Sequence, residues 1–105
     1  MKLTHSAVAV AQALMRRPDE RHWGYDLSKE TGVRSGALYP ILSRMLDAGW
    51  LHDGWEDLAE VRGKRPPRRY YTVTADGVGH LGAMIRSAAE DARFTRPALR
   101  VQVAL

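Results

Sequence analysis

A short basic run is the part of the sequence best suited to bind a charged partner. Residues 62–69 read RGKRPPRR, with no acid among the cations. Lysine and arginine at this density can neutralise the phosphates of a nucleic acid. The formal net charge of +4 and the pI near 9.9 are compatible with a polyanionic partner but do not establish one. Because such a run is usually only a solvated face, its meaning depends on the elements beside it.

The segment before the basic run has the pattern of a helix with a small, nearly uncharged outer face. Residues 33–51 read VRSGALYPILSRMLDAGWL, and their apolar residues recur at helical spacing. Those residues are Leu38, Ile41, Leu42, Met45 and Leu46. A DNA major groove admits a helix only if the exposed side chains do not hold it away. We interpret the bare face as clearance for a groove; the alternative is a small-residue helix that packs elsewhere in the fold.

A proline lies inside this helical pattern. Pro40 removes a backbone donor and presses on the carbonyl of residue 36. It is near the first turn, however, and Gly36 has no side chain to oppose a small backbone adjustment. We expect a locally opened or kinked start, with Ser35 as the N-cap, rather than a broken helix.

Two helices precede this segment and a change of period follows it. Thr4 can cap a first helix that ends near Arg17, and residues 24–31 form a short second helix anchored by Tyr25 and Leu27. After a glycine terminator at position 49, residues 50–55 and 69–74 read as strands joined by the basic loop. Trp50 is predicted to be a core residue, and alternation along the second strand predicts that one of the two tyrosines at 70 and 71 is buried. Apolar residues from 78 to 92 mark a last helix that ends near residue 93.

The predicted fold is therefore α+β and mostly α. Three helices and a two-stranded β-hairpin wing form a winged helix-turn-helix over residues 1–74. A C-terminal helix follows over residues 75–94, and residues 95–105 form a tail that is disordered or part of a dimer contact.

Other functional classes have little support in the sequence. The four histidines are scattered and there is no cysteine, so we expect no metal site and no cofactor. No nucleophile, base and third group stand in a recognisable arrangement, so an enzyme is not expected. The longest apolar run is too short to span a bilayer, which favours a soluble, cytoplasmic protein.

The sequence resembles the PadR family of bacterial winged-helix transcriptional regulators. The resemblance covers roughly residues 5–80 and depends on four motifs together, GYDL, GALYP, LDAGWL and PPRRYYTVT. It implies a homodimer that binds DNA, represses nearby genes and is often released by a small molecule. It also implies that Tyr39 and the basic wing belong to the DNA surface. The C-terminal helix would pack on the N-terminal helix of the partner.

These arguments give two sets of candidate residues. The predicted DNA-binding residues are Tyr25, Lys29, Ser35, Gly36, Ala37, Tyr39, Pro40, Ser43, Arg44, Arg62, Lys64, Arg65 and Arg68. The predicted dimer residues are Val8, Ala11, Met15, Val78, Leu81, Ile85, Ala88 and Ala92. We expect a repressor that binds an inverted-repeat operator in double-stranded DNA. The alternative hypothesis is a winged-helix adaptor whose basic wing binds an acidic protein.

Overall fold

The helices and strands occur in the order that the sequence predicts, with two short additions. The computed structural model describes residues 1–94 of the chain. Its elements are α1 (His5–Arg16), β1 (His22–Trp23), α2 (Gly24–Thr31), α3 (Ser35–Asp47), β2 (Leu51–Trp55), a 3-10 turn (Leu58–Glu60), β3 (Arg69–Val73) and α4 (Ala75–Glu90). The additions are β1 and the 3-10 turn, which are too short to produce a periodic pattern.

Helix α1 is the centre around which the other helices pack. Thr4 caps it as predicted, since its Oγ1 accepts a hydrogen bond from the N–H of Ala7 at 3.1 Å. The helix contacts α2, α3 and α4, and its buried residues are therefore not confined to one narrow stripe. Leu14, Val10 and Ala13 are all fully buried, which fits the wide apolar face seen in the sequence.

The turn between α2 and α3 is closed by backbone and side-chain bonds. Gly32 adopts the left-handed conformation (φ 74°) and its N–H donates to the carbonyl of Ser28. The hydroxyl of Ser28 in turn donates to the carbonyl of Val33 at 2.8 Å. These bonds fix the direction in which α3 leaves α2.

The start of α3 differs from the prediction. Arg34, not Ser35, is the N-cap, because the carbonyl of Arg34 already accepts the N–H groups of Ala37 and Leu38. Ser35 therefore lies inside the first turn. The helix continues through Pro40 to Asp47, so the proline does not end it.

The strands form one antiparallel sheet in the order β1-β3-β2. Its register pairs Leu51 with Val73, and Trp23 with Tyr70. Tyr71 is buried and Tyr70 half-buried, as the alternation predicts. Trp50 is only half-buried; it packs against the core.

Helix α4 is held close to the sheet by a glycine. A Cβ at Gly77 would overlap the carbonyl oxygen of Trp50, so only glycine allows this approach. Thr74 caps the helix by accepting from the Gly77 N–H at 2.9 Å. The helix ends at Glu90, a few residues earlier than predicted.

Half of the residues predicted for a dimer contact lie in the core of the chain itself. These four buried residues are Val8, Ala11, Leu81 and Ala88. The reason is that α1 and α4 pack on each other within one chain. Met15 and Ile85 are half-buried and Val78 is 44% exposed, whereas the exposed Ala92 lies beyond the end of α4. The predicted tail, residues 95–105, lies outside the described residues.

Candidate nucleic-acid interface

Helix α3 separates its residues into two faces as predicted. The inner face is buried and consists of Leu38, Ile41, Leu42 and Met45. Every residue predicted for the outer face is exposed: Ser35, Gly36, Ala37, Tyr39, Pro40, Ser43 and Arg44. At Gly36 a Cβ would meet nothing within 4 Å in the described part of the chain, which leaves the helix start open there. The outer face is free to approach another molecule.

Helix α2 adds an aromatic and a cation beside α3. Tyr25 is 69% exposed, so the prediction that it anchors the helix is wrong. Residues two apart on a helix point in different directions, and Leu27 takes the buried position. The Nζ of Lys29 lies 5.4 Å from the centre of the Tyr25 ring. The two side chains thus form one exposed patch.

Tyr39 joins α3 to the beginning of α2. A Cβ at Gly24 would overlap the Tyr39 hydroxyl and lie 3.0 Å from its Cζ. Gly24 is buried beneath the ring, and Tyr39 itself remains 45% exposed. The glycine of GYDL and the tyrosine of GALYP therefore belong to one packed contact, which spacing in the sequence did not reveal.

The wing is closed at its base by a carboxylate. Glu56 accepts from both terminal nitrogens of Arg65, at 2.7 and 3.1 Å, and from the N–H of Arg68 at 2.8 Å. The Arg65 guanidinium, hydrogen-bonded to this carboxylate, lowers the Glu56 pKa from 4.5 to about 2. Arg65, predicted to reach DNA, is thus already engaged within the wing.

Other ion pairs fix the sheet that carries the wing. Arg69 donates to Asp53 on the neighbouring strand at 2.8 Å from its Nε. This bonded carboxylate raises the Arg69 pKa. Arg21 pairs with Glu60 at 3.3 Å, and its guanidinium lies 4.2 Å from the centre of the Tyr70 ring. The loop is therefore tied to the residue just before β1 as well as to itself.

The remaining cations on this side of the molecule are free of ion pairs among residues 1–94. They are Lys29, Arg34, Arg44, Arg62, Lys64 and Arg68, and all are exposed. Arg34 is an addition to the predicted set. Its signal in the sequence is a cation directly before the helix start, where its side chain can meet the same partner as the first turn.

A cleft of about 280 Å³ lies where α2, α3 and the base of the wing meet. Its lining includes three predicted DNA-binding residues from three different elements, Tyr25, Tyr39 and Arg68. The cleft also includes Arg69 and Glu56. The fold thus brings α2, α3 and the base of the wing together, whereas Arg62 and Lys64 lie in the loop and are not part of the cleft lining.

A second groove of about 390 Å³ runs between α1 and α4. Val8, Ala9 and Ile85 contribute to its lining. At its edge the rings of His5 and Phe94 lie 4.4 Å apart. The lining of this groove combines apolar side chains with the polar side chains of His5 and Gln12.

Two further properties concern residues 1–94. No group of three or more His, Cys, Asp or Glu is placed to hold a metal ion. None of the helices in this range has the length and hydropathy needed to cross a membrane.

Comparison with protein families identifies the chain. Residues 14–83 match the model of the transcriptional regulator PadR-like family. The chain belongs to this family. The PadR-like members are transcriptional regulators, which agrees with the expectation that the protein is not an enzyme. A search of curated protein sequences finds no match.

Solved structures show the same PadR-like fold. A PadR family regulator from Clostridium difficile is 15% identical, with a TM-score of 0.61 over 95% of this chain and 99% of that one. One from Eggerthella lenta is 22% identical, with a TM-score of 0.61 over 94% and 84%. Bacillus subtilis PadR, solved in complex with operator DNA, is 19% identical, with a TM-score of 0.59 over 73% and 44%. At these identities the likeness establishes the winged-helix fold, as predicted from the sequence.

Proposed function

We propose that this PadR-like regulator is a sequence-specific repressor that binds double-stranded DNA as a homodimer. The observation that carries the proposal is the convergence of α2, α3 and the wing, with unpaired cations around a helix whose outer face is small. A major groove about 12 Å wide accepts such a helix. The Bacillus subtilis relative solved with operator DNA supports the same partner.

Each part of the interface has a distinct role in the proposal. The first half of α3, Gly36 and Ala37 included, lies against base edges, because helix-turn-helix proteins use the N-terminal residues of this helix. Tyr25, Lys29 and Tyr39 contact phosphates beside the groove. Arg62 and Lys64 reach the neighbouring minor groove or its phosphates.

The dimer in this proposal uses the groove between α1 and α4. Ile85 lies in this groove, and Met15 on α1 and Val78 on α4 are further predicted dimer residues that the chain does not fully bury itself. A two-fold dimer places its recognition helices on two half-sites about one helical turn apart, so the operator is an inverted repeat. A small-molecule effector, where one acts, binds in the same groove.

The test is binding to the DNA upstream of the protein's own gene. We expect a gel shift on a fragment that contains an inverted repeat, with an affinity that falls steeply as salt rises. A scrambled fragment of the same length is the control. Equal affinity for both fragments would show that the binding is not sequence-specific. No salt-sensitive duplex binding, together with a stable complex with an acidic protein, would favour the adaptor hypothesis instead.

A further inference from the structure

Glu56 is an acid placed within the basic wing. It is the first residue after β2, and its own N–H donates to the carbonyl of Arg68 at 2.9 Å. Its carboxylate receives three further bonds, two from the Arg65 side chain and one from the Arg68 N–H. Four bonds therefore close the neck of the loop 57–67 at one residue.

The position of this acid is unfavourable for DNA binding by charge alone. A carboxylate next to Arg68 weakens the attraction of the wing for phosphate. Its side chain is only 10% exposed and that of Arg65 33%, so the pair is partly shielded from solvent. A group that opposes the charge of the surface, yet is bonded so fully, has a structural task there.

That task follows from what else orders the loop. Among the described residues, the loop has one short 3-10 turn, one left-handed glycine at Gly63 and the 3.3 Å pair between Arg21 and Glu60. Arg62 and Lys64 have no ion pair of their own in this part of the chain. Their positions therefore depend on the closed neck, and an open loop would lose conformational entropy on meeting DNA.

We propose that Glu56 is a positioning residue for DNA binding, which closes the wing through Arg65 so that Arg62, Lys64 and Arg68 are presented to phosphates. The proposal depends on the DNA-binding function proposed above. It assigns Arg65 to the wing's internal structure rather than to direct contact with DNA.

The first experiment compares two substitutions that remove the same charge. Asp57 is the next residue, is exposed, and makes no side-chain capping bond to the 3-10 turn. Asp57→Asn removes a negative charge without opening the neck, so we expect operator binding as tight as, or slightly tighter than, that of the parent. Glu56→Gln removes a negative charge and opens the neck, so we expect binding about tenfold weaker despite the more positive wing. Equal affinities for the two variants would overturn the proposal.

The second experiment keeps the charge and changes the geometry. Lysine cannot form the two parallel bonds that arginine makes with a carboxylate. Arg65→Lys should therefore weaken operator binding several-fold, at about the scale of Glu56→Gln. Circular dichroism would show whether the variants keep their helices. Parental affinity for Arg65→Lys would show that only its charge matters and would contradict the assignment.

A double-variant cycle separates positioning from contact. If Arg65 acts through Glu56, then Arg65→Gln costs little further affinity once Glu56→Gln is present. Its additional effect on the salt dependence should also be near zero, because no phosphate contact is lost. A full additional loss, with a salt slope lower by about one, would place Arg65 on DNA and overturn the inference. If the parent itself lacks salt-sensitive duplex binding, the proposed function and this inference are both wrong. If the parent binds and Glu56→Gln binds equally well, the inference is wrong and the proposed function is unaffected.

Discussion

Helix α3 and the wing, which we propose contact the same DNA, are held in place by different kinds of interaction. Core packing holds the inner face of the helix. The outer face consists mainly of small side chains. The wing has little core beneath it and is shaped by ion pairs, with Glu56 and Asp53 each holding an arginine. The comparison indicates that the helix contributes fit and the wing contributes charge. Substitutions can separate the two.

The largest effect is expected from a substitution that prevents α3 from entering the major groove. Gly36→Trp places a large side chain on the outer face of α3, in space that is empty in the free protein. We expect operator affinity to fall by about a hundredfold or more, towards the level of non-specific binding. The fold should be retained, because no neighbouring side chain among residues 1–94 lies within 4 Å of the new Cβ.

The matched control for this substitution is on α4. Gly79 is also an exposed helical glycine, and no described residue lies within 4 Å of a Cβ placed there. Gly79→Trp should leave operator affinity near that of the parent in fluorescence anisotropy. Comparable losses for the two variants would mean that bulk alone, and not the position on α3, causes the defect.

A smaller and different effect is expected from loss of wing charge. The double variant Arg62→Ala/Lys64→Ala removes two cations that have no ion pair in the described part of the chain. We expect binding to weaken about tenfold on all duplexes alike, and the salt slope to fall by about two. Binding measured across a salt series checks this. Arg86→Ala on α4 removes an exposed cation elsewhere and should change neither quantity.

These two regions also differ in how far the sequence predicts them. The buried and exposed faces of α3 follow from its 3.6-residue period, so its bounds and outer face were predicted almost completely. The strand period predicted in the same way that one of Tyr70 and Tyr71 is buried, and the structure shows that it is Tyr71. Periodicity indicates which side of a helix or strand is buried. The two faces of α3 and the burial of one of the two tyrosines depend only on that property.

The pairings in the wing have no such signal. Arg65 was assigned to DNA because it is a flexible cation in the basic loop. A cation in a loop can pair with any nearby acid or with none, and only the structure brings Glu56 to it. The same applies to the contact between Gly24 and Tyr39, whose elements must first be packed. Strand β1 was missed because two residues show no alternation.

A substitution at Gly24 tests whether the shape of the DNA-binding face depends on packing from α2 as well as on α3. Gly24→Ala would displace the Tyr39 hydroxyl, which is the far end of a half-exposed side chain. We therefore expect a small change in melting temperature and operator binding about three- to fivefold weaker, as an overpacked contact moves one phosphate ligand. In a Tyr39→Leu background the same alanine should have almost no further effect. An undiminished second loss would show that Gly24 acts independently of Tyr39.

The smallest expected effect concerns the stability that the wing's ion pair supplies. The Glu56 pKa is about 2 in the folded chain, below its ordinary value of 4.5, because Arg65 bonds the charged form. A lowered carboxyl pKa contributes stability that is fully present above about pH 4.5 and is lost as pH falls through 2. In urea unfolding, the parent should be slightly more stable than Glu56→Gln at pH 7, and the difference should shrink between pH 4.5 and 2. A difference between parent and Glu56→Gln that stays constant over this range would mean that the carboxylate's charge does not hold the wing, and that its shape alone does.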